Sequence, residues 1–234
     1  MELLLERGEF GVRIAVTEAD DGDVHPTRVD AAELAARQRD LTGQRWAMAS
    51  QVHRADVWEV DQIRSPDRLA VADIVVLRRQ RAATRPSALA MWAADCATAV
   101  FVTERALVGV HAGWRGLAAG VIQKAAAVAA ERGDVESVVV GPVIGSCCYE
   151  FSEVDLRVVA EGTRVDVSKL RGVTTWGAPA LDVGAATRAA FADAGVVPDI
   201  VVAGCTGCAG EGRRWFSHRA RVDVERHALV GWFA

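Results

Sequence analysis

The chain has 234 residues, of which 51% are hydrophobic and 25% are charged, and its formal net charge is −4. A chain of this length can bury one sizeable core, so it needs neither disulfides nor a metal merely to fold, and a disulfide-stapled miniprotein is excluded. The chain is net acidic, and its sequence has no cluster of basic residues of the kind by which proteins bind nucleic acids or anionic membranes. We therefore expect neither partner.

The N-terminus has no basic, cleavable export signal, and no apolar stretch reaches the roughly 20 residues that span a bilayer. The longest such stretch, Leu89–Val102, is interrupted by Asp95. Five cysteines are an odd number, which indicates reduced thiols in an intracellular protein rather than a disulfide framework. We expect a cytoplasmic chain, and because no linker or repeat divides it, a single domain over residues 1–234.

Short apolar runs bounded by turn or polar residues predict buried strands. In chain order these strands are 72–77, 88–93, 106–111, 137–140 and 199–203. Helical spacing and capping residues predict helices, which cover 116–132, 152–160 and 182–194, with Ala-rich segments at 31–37 and 125–130. Successive strands followed by strands that alternate with helices indicate an α+β fold class: a single domain of mixed β-sheets with flanking helices.

Two histidines and one cysteine are candidate ligands of a metal ion. Cys96 and His111 lie where a predicted strand gives way to a turn, so these side chains can converge with His53 while the sheet holds them. Two imidazoles and a thiolate are three ligands, the number that a catalytic zinc uses while it keeps its fourth position open. The alternative is an inert core cysteine with hydrogen-bonded histidines, because the three residues are far apart in the sequence.

Two further segments carry side chains suited to a binding pocket. Gly113–Gly116 precedes a predicted helix, so its backbone amides and the Arg115 guanidinium could receive an anion such as phosphate. The alternative is a plain turn with Arg115 solvated or ion-paired. Near the C-terminus, Ser217, an imidazole and Arg219 follow an aromatic pair, which indicates either a pocket wall or a solvated surface.

The remaining cysteines allow two interpretations. Cys148 precedes a predicted helix, and a thiol near a helix N-terminus can have a lowered pKa, so Cys148 is a candidate nucleophile or simply a small residue in a tight turn. Cys205 and Cys208 have CxxC spacing without a second such pair. Cys147 and Cys148 are adjacent, which we interpret as too close for the other half of a four-cysteine zinc site. We therefore expect Cys205 and Cys208 to be structural or incidental.

Taken in order, these fragments resemble the YfiH/YlmD family, also called the laccase-domain or FAMIN-like family, over about residues 45–234. The matching segments are Gln51-Val-His53, Ala94-Asp95-Cys96, His111-Ala-Gly-Trp-Arg-Gly116, Gly141-Pro-Val-Ile-Gly145, Cys147-Cys-Tyr-Glu150, Cys205-Thr206 and Phe216-Ser-His-Arg219. The resemblance implies a YfiH-like fold related to that of cytotoxic necrotizing factor. It also implies a zinc ion held by His53, Cys96 and His111.

Members of this family are associated with purine nucleoside phosphorolysis, adenosine deamination and methylthioadenosine cleavage. The resemblance therefore implies a zinc-dependent enzyme that uses phosphate to convert adenosine, inosine or methylthioadenosine to a free base and a sugar 1-phosphate, with adenosine deaminase activity. Its expected partners are a nucleoside and phosphate, and it is expected to be a monomer or a small homo-oligomer. The candidate catalytic residues are Asp95, Arg115 and Cys148, and the candidate substrate-binding residues are Gln51, Ser217 and Arg219.

Other functions stay open at this point. A His₂Cys set also suits copper, with Met48 or Met91 as an axial donor for a laccase-like polyphenol oxidase, although five histidines are too few for a multicopper laccase. The family also resembles a factor that edits peptidoglycan precursors, and a cysteine hydrolase would use Cys148. A noncatalytic binding module is the fourth possibility.

The sequence departs from the family pattern at four positions and keeps all three ligands. These positions are Arg54 in place of Gly, Thr98 in place of Pro, Ser146 in place of Pro, and Glu225 in place of a closing Gly-Arg pair.

Overall fold

A computed structural model describes residues 1–7, 11–60, 68–79, 88–208 and 213–233. In these segments no helix has the length and apolar character needed to cross a membrane. The strands are β1 (Glu2–Arg7), β2 (Val12–Val16), β3 (Trp46–Ala47), β4 (Val57–Glu59), β5 (Ile74–Arg78), β6 (Ala88–Ala93), β7 (Ala97–Thr103), β8 (Ala106–Ala112), β9 (Val135–Val140), β10 (Arg171–Val173), β11 (Pro179–Leu181), β12 (Ile200–Val201) and β13 (His227–Phe233). The α-helices are α1 (Ala31–Thr42), α2 (Trp114–Ala118), α3 (Val121–Ala130), α4 (Glu153–Thr163), α5 (Val183–Asp193) and α6 (His218–Arg221).

Two mixed β-sheets pack face to face. One has the strand order β1-β2-β13-β6-β3 and the other β12-β9-β7-β8-β5-β4, while β10 and β11 form a separate hairpin. The pairs β3–β6, β4–β5 and β12–β9 are parallel, and the other pairs are antiparallel. Apolar side chains such as Met91, Val100 and Leu229 fill the space between the sheets. The sheets approach closely at Gly109, where a Cβ atom would lie 2.7 Å from Met91 Sδ.

Helices cover the outer faces of both sheets. Helices α2 to α5 pack on the six-stranded sheet through residues such as Leu117, Ile122 and Phe191, and α1 packs on the five-stranded sheet through Leu34. The molecule therefore has four layers: α1, the five-stranded sheet, the six-stranded sheet, and the helices α2 to α5. This arrangement confirms the predicted fold class of mixed β-sheets with flanking helices.

The strand predictions were correct for the central strands and incomplete elsewhere. The predicted strand 88–93 coincides with β6, and the predictions 72–77, 106–111 and 137–140 overlap β5, β8 and β9. The expected strand 199–203 contains only the two residues of β12. Strands β1, β2, β7 and β13 were not predicted. Strand β7 was hidden in the apolar run 89–102, because both of its faces are buried and its side chains do not alternate in polarity.

The prediction of one helix over 116–132 was wrong. The segment instead contains the end of α2, which stops at Ala118, and the whole of α3, whose N-cap is Gly120 with a φ of 72°. Predicted helices 152–160 and 182–194 correspond to α4 and α5. Their N-cap residues are Ser152 and Asp182, whose side chains accept hydrogen bonds from the backbone of the first turn. Helix α1 contains the Ala-rich segment 31–37.

Candidate metal centre

The loop that carries His53 is organised by the carboxylate of Asp73. The backbone N–H groups of Val52, His53 and Arg54 donate to this carboxylate at 3.2, 3.0 and 2.8 Å. Asp73 lies just before β5 and is fully buried. His53 has a φ of 61°, in the left-handed region, and the hydrogen bonds to Asp73 hold the loop in this conformation.

The same carboxylate also orients His111, which lies on β8. The ring nitrogen Nδ1 of His111 is 2.9 Å from Asp73 Oδ1 and donates to it, which leaves Nε2 for another partner. Burial would lower the pKa of His111, but the charge of Cys96 and the hydrogen bond to Asp73 raise it to about 9. The pKa of Asp73 is lowered despite its burial, because it accepts hydrogen bonds from His111 and the loop.

Cys96 lies in the turn between β6 and β7, after Asp95, whose φ is 107°. The turn carries the chain from one sheet to the other. Cys96 Sγ is 3.7 Å from His53 Nε2. Burial would raise the pKa of the Cys96 thiol, but the charge of His111 and hydrogen bonds from both histidines lower it to about 6. Cys96 is therefore disposed to be a thiolate, the form that binds metals.

The structure brings the three predicted ligands together. Donor atoms of His53, Cys96 and His111 lie within 4.8 Å of one another, and the two imidazole rings are 4.9 Å apart. Gly113 leaves room for them, because a Cβ atom there would lie 2.3 Å from His53 Cδ2 and 3.1 Å from Cys96 Sγ. Two nitrogen donors and one sulfur donor suit zinc or copper. The residues present therefore fit a metal ion.

A pocket of about 260 Å³ opens beside His53 and Cys96. Two exposed arginines line it: the Arg115 guanidinium lies 4.1 Å from the centre of the Trp114 ring, and that of Arg219 lies 4.8 Å from the centre of the Tyr149 ring. The remaining lining residues are Ala94, Asp95, Gly113, Ile144, Val183 and His218. The pocket thus combines a candidate metal centre, two cations and two aromatic rings.

Asp95 lines this pocket and is buried, and three donors hold its carboxylate. The hydroxyl groups of Thr206 and Ser217 each donate to Oδ1 at 2.6 Å, and the backbone N–H of Arg219 donates to Oδ2 at 2.7 Å. The carbonyl oxygen of Asp95 accepts from the N–H of Ile144 at 3.0 Å. Asp95 therefore connects the Cys96 turn to the segments around residues 144, 206 and 217–219.

Two of the predicted substrate-binding residues use their side chains for hydrogen bonds within the protein. Ser217 is fully buried and uses its hydroxyl to hold Asp95 and to cap α6. Gln51 donates through Nε2 to the carbonyl of Trp92 at 2.7 Å and accepts from the N–H of the same residue at 3.2 Å. Among the described residues Gln51 lines neither this pocket nor its larger neighbour. Arg219 lines both, and its substrate contact stays a prediction.

Cys148 lies in a different environment from the one expected of a nucleophile. It lines the neighbouring cleft of about 700 Å³, not the pocket of Cys96. Burial, together with its cysteine neighbours, raises the pKa of its thiol, which disfavours the reactive thiolate. The expectation that Cys147 and Cys148 are too close to complete a four-cysteine group was wrong. The sulfur atoms of Cys147, Cys148, Cys205 and Cys208 lie within 4.8 Å of one another.

The two methionines considered as axial copper donors lie outside the site. Met91 is fully buried between the sheets, next to Gly109. Met48 accepts a hydrogen bond from Gln38 of α1 at 3.5 Å. Neither methionine lines the pocket of His53 and Cys96.

Asp73 is the important residue that the sequence analysis missed. It lies inside the predicted strand 72–77, and a single acidic residue in an otherwise apolar run is the signal that could have found it. Its contacts reach 20 residues back to His53 and 38 residues forward to His111. No local sequence pattern shows that one carboxylate joins these two distant segments.

Comparison with known proteins gives close agreement with the resemblance seen in the sequence. The purine nucleoside phosphorylase SCO2081 of Streptomyces coelicolor is 33% identical over 205 residues, which cover 86% of this chain and 80% of that protein. The purine nucleoside phosphorylase YlmD of Geobacillus stearothermophilus is 35% identical over 195 residues, which cover 75% and 67% of the two chains.

Solved structures show the same fold. The crystal structure of YfiH from Bacillus licheniformis has a TM-score of 0.81 at 22% identity, with 100% of this chain and 97% of that chain covered. The crystal structure of YlmD has a TM-score of 0.68 at 24% identity, with 97% and 94% covered. The family model described as multi-copper polyphenol oxidoreductase laccase matches residues 17–234. The chain therefore belongs to this laccase-domain family, together with relatives named purine nucleoside phosphorylase.

Proposed function

We propose that this chain is a zinc-dependent purine nucleoside phosphorylase. Its substrates would be adenosine, inosine or methylthioadenosine, and the same pocket would deaminate adenosine. The observation that carries the proposal is the convergence of His53, Cys96 and His111 beside a pocket that His53, Cys96 and two arginines line. The names of the related proteins support the same reaction class.

His53, Cys96 and His111 would hold the zinc ion. When bound, zinc would supply a Lewis acid that polarises an oxygen ligand or lowers the pKa of a water molecule. Asp73 acts through the two histidines: it fixes the loop of one and the ring orientation of the other. It is a positioning residue and does not touch the substrate.

The two arginines are suited to bind phosphate. A guanidinium group can bind phosphate oxygens through two parallel hydrogen bonds, and both Arg115 and Arg219 are exposed at the pocket. Each lies against an aromatic ring, which restricts its orientation. In phosphorolysis a phosphate oxygen forms a bond to C1′ of the sugar as the bond from C1′ to the purine breaks. The arginines would hold the attacking anion in place.

The purine that leaves carries excess electron density and must gain a proton. His218 lines the pocket on α6 and is suited to supply it. Asp95 is unsuited to act as a base, because both of its carboxylate oxygens already accept hydrogen bonds from the protein. We infer that Asp95 positions Cys96 and the backbone of Arg219.

Incubation with adenosine or inosine, with and without phosphate, tests the proposal. Chromatography should detect free base and ribose 1-phosphate only when phosphate is present, and inosine formed from adenosine without phosphate would indicate deamination. His111→Ala should lose both reactions together with the metal. Asp40→Asn, at an exposed position of α1, should keep them. Unchanged turnover in a metal-free His111→Ala variant would refute the proposal.

The family description makes copper chemistry the second candidate. Five histidines are present in all, and only His53 and His111 join the candidate centre among the described residues. We infer that phenol oxidation is at most a side activity of a copper-loaded site. An intense blue absorption band and a copper EPR signal in protein purified without added metal would favour copper oxidation over zinc-dependent phosphorolysis.

A further inference from the structure

Four cysteines lie together outside the candidate metal centre. Cys147 and Cys148 belong to a single turn of 3₁₀ helix, and Cys205 and Cys208 belong to a turn after β12. All four Sγ atoms lie within 4.8 Å of one another. The Sγ atom of Cys208 is 3.4 Å from that of Cys147 and 3.7 Å from that of Cys148. These cysteines are about 60 residues apart in the sequence, so the fold itself creates the cluster.

The distances within this cluster match a metal site better than a disulfide. The sulfur atoms of a disulfide are about 2.05 Å apart. Zinc binds thiolates at about 2.3 Å, so neighbouring sulfurs of a tetrahedral site are about 3.8 Å apart. Cys208 lies at nearly equal distance from two sulfurs, whereas a disulfide would join it to only one of them. The 3₁₀ turn explains how adjacent cysteines can face the same partner, because both point toward Cys208.

The surroundings of Cys205 are suited to negative charge on its sulfur. The backbone N–H of Gly145 donates to Cys205 Sγ at 3.0 Å. Arg221 binds two carbonyl groups of the turn that holds Cys205 and Cys208, at 3.1 and 3.3 Å. Four thiolates around a divalent ion carry a net charge of −2, and the N–H group that donates to Cys205 would offset part of it.

Glycine is required at the point where the two turns meet. A Cβ atom on Gly207 would lie 2.7 Å from Cys148 Cβ and 3.2 Å from its sulfur. The close approach of the two turns is therefore built into the backbone. This close approach places Cys147 and Cys148 near Cys205 and Cys208, so that the backbone need not move for the four sulfur atoms to share one ion.

We propose that Cys147, Cys148, Cys205 and Cys208 bind a second zinc ion, in a closed site of four thiolates. Four protein ligands leave no open position, so this ion would be structural and would take no part in a reaction. The proposal does not rest on the proposed function, because it needs neither the nucleoside nor the candidate metal centre.

The second zinc would join the two segments that hold Asp95. Thr206 lies between Cys205 and Cys208, and its hydroxyl donates to the Asp95 carboxylate. Ile144 lies just before the other turn, and its N–H donates to the Asp95 carbonyl. A zinc ion that fixes both turns would therefore keep Asp95 and the adjacent Cys96 in place.

Counting metal ions per chain tests the proposal without any measurement of activity. Protein purified under reducing conditions should contain two zinc ions per chain. The double variant His53→Ala/His111→Ala should keep one ion, and Cys205→Ser/Cys208→Ser should also keep one and unfold at a lower temperature. Ser146→Ala, a non-ligand in the same turn, should keep two. One zinc ion in the wild-type chain and none in the histidine variant would overturn the proposal.

A spectroscopic measurement keeps the test valid if the cysteine variant fails to fold. X-ray absorption at the zinc edge of the histidine double variant should show four sulfur ligands at about 2.3 Å. The thiols should react with a thiol reagent only after the zinc is chelated. A mass loss corresponding to a disulfide, or iron with inorganic sulfide in place of zinc, would overturn the assignment.

Discussion

At the scale of single residues, the candidate centre depends on Asp73. Its two oxygens accept three backbone N–H groups from the His53 loop and one ring N–H from His111. Burying a carboxylate is unfavourable unless it is paired in this way, and the pairing here fixes two candidate ligands with one side chain. Asp73 therefore fixes the positions of His53 and His111 relative to each other.

Replacing this carboxylate should weaken metal binding while every ligand stays in place. In Asp73→Asn, an amide NH₂ group would face N–H donors that it cannot pair with. We expect zinc affinity to fall by about 10- to 100-fold, measured by competition with a chromophoric chelator. Asp40→Asn on the exposed face of α1 is the matched control. Wild-type affinity in Asp73→Asn would contradict the role that we give to this residue.

The donors to Asp95 make a second prediction at this scale. Thr206→Val removes one hydroxyl donor while preserving the shape of the side chain, and it leaves Oδ1 of Asp95 with Ser217 alone. We expect the free energy of unfolding to fall by about 1–3 kcal/mol, measured by urea denaturation. Thr206→Ser retains the hydroxyl and should recover most of this loss. Equal stability of the valine variant and the wild type would count against the anchoring of Asp95.

At the scale of elements, the turn between β6 and β7 determines where Cys96 lies. These consecutive strands belong to different sheets, and the turn between them contains Asp95 with its φ of 107°. The sequence shows only an apolar run interrupted by Asp95. The end of the first strand and the chemistry of Cys96 could be predicted, but the change of sheet could not, because it depends on pairing with the distant strands β13 and β9.

Strand β13 carries a buried histidine that should make stability depend on pH. Burial, with the nearby charges of Arg226 and Arg221, lowers the pKa of His227 from the ordinary histidine value of about 6.5 to about 3. Neither ring nitrogen has a hydrogen-bond partner in the described part of the chain. His227 is therefore neutral in the native state, whereas the unfolded chain takes up a proton as the pH falls below 6.5.

The unfolded state binds the extra proton, so His227 reduces stability as the pH falls from about 6.5 towards 3. Within this window, the contribution of His227 to the slope of the free energy of unfolding against pH approaches about 1.4 kcal/mol per pH unit. His227→Leu should therefore lose less stability than the wild type between pH 7 and pH 5, measured by urea denaturation at each pH. Parallel pH profiles of the two proteins would show that His227 does not contribute.

At the scale of the whole molecule, the face-to-face packing of the sheets sets the distances between the candidate ligands. His111 lies on the six-stranded sheet, and Cys96 lies where the chain crosses from the five-stranded sheet. A shift of one sheet against the other would move Cys96. The class of fold and the three candidate ligands could be predicted from composition, strand patterns and family motifs. The four-cysteine cluster and the role of Asp73 could not, because they arise from contacts between distant segments.

The close approach at Gly109 offers a test of this packing. A Cβ atom there would lie 2.7 Å from Met91 Sδ and 2.8 Å from Leu89 Cδ1. We expect Gly109→Val to reduce the free energy of unfolding by about 1–3 kcal/mol through overpacking, measured in urea. Adding Met91→Ala should recover part of the loss, because it removes the side chain in contact. A valine variant as stable as the wild type would mean that the sheets can separate without cost.

Anomalous diffraction at the zinc edge from crystals of the protein is the most direct test of the central claim, that His53, Cys96 and His111 hold a metal ion. We expect a peak about 2.0–2.3 Å from the two imidazole nitrogens and the thiolate sulfur. Reduced crystals grown with zinc that show these three side chains in place and no anomalous peak between them would contradict it.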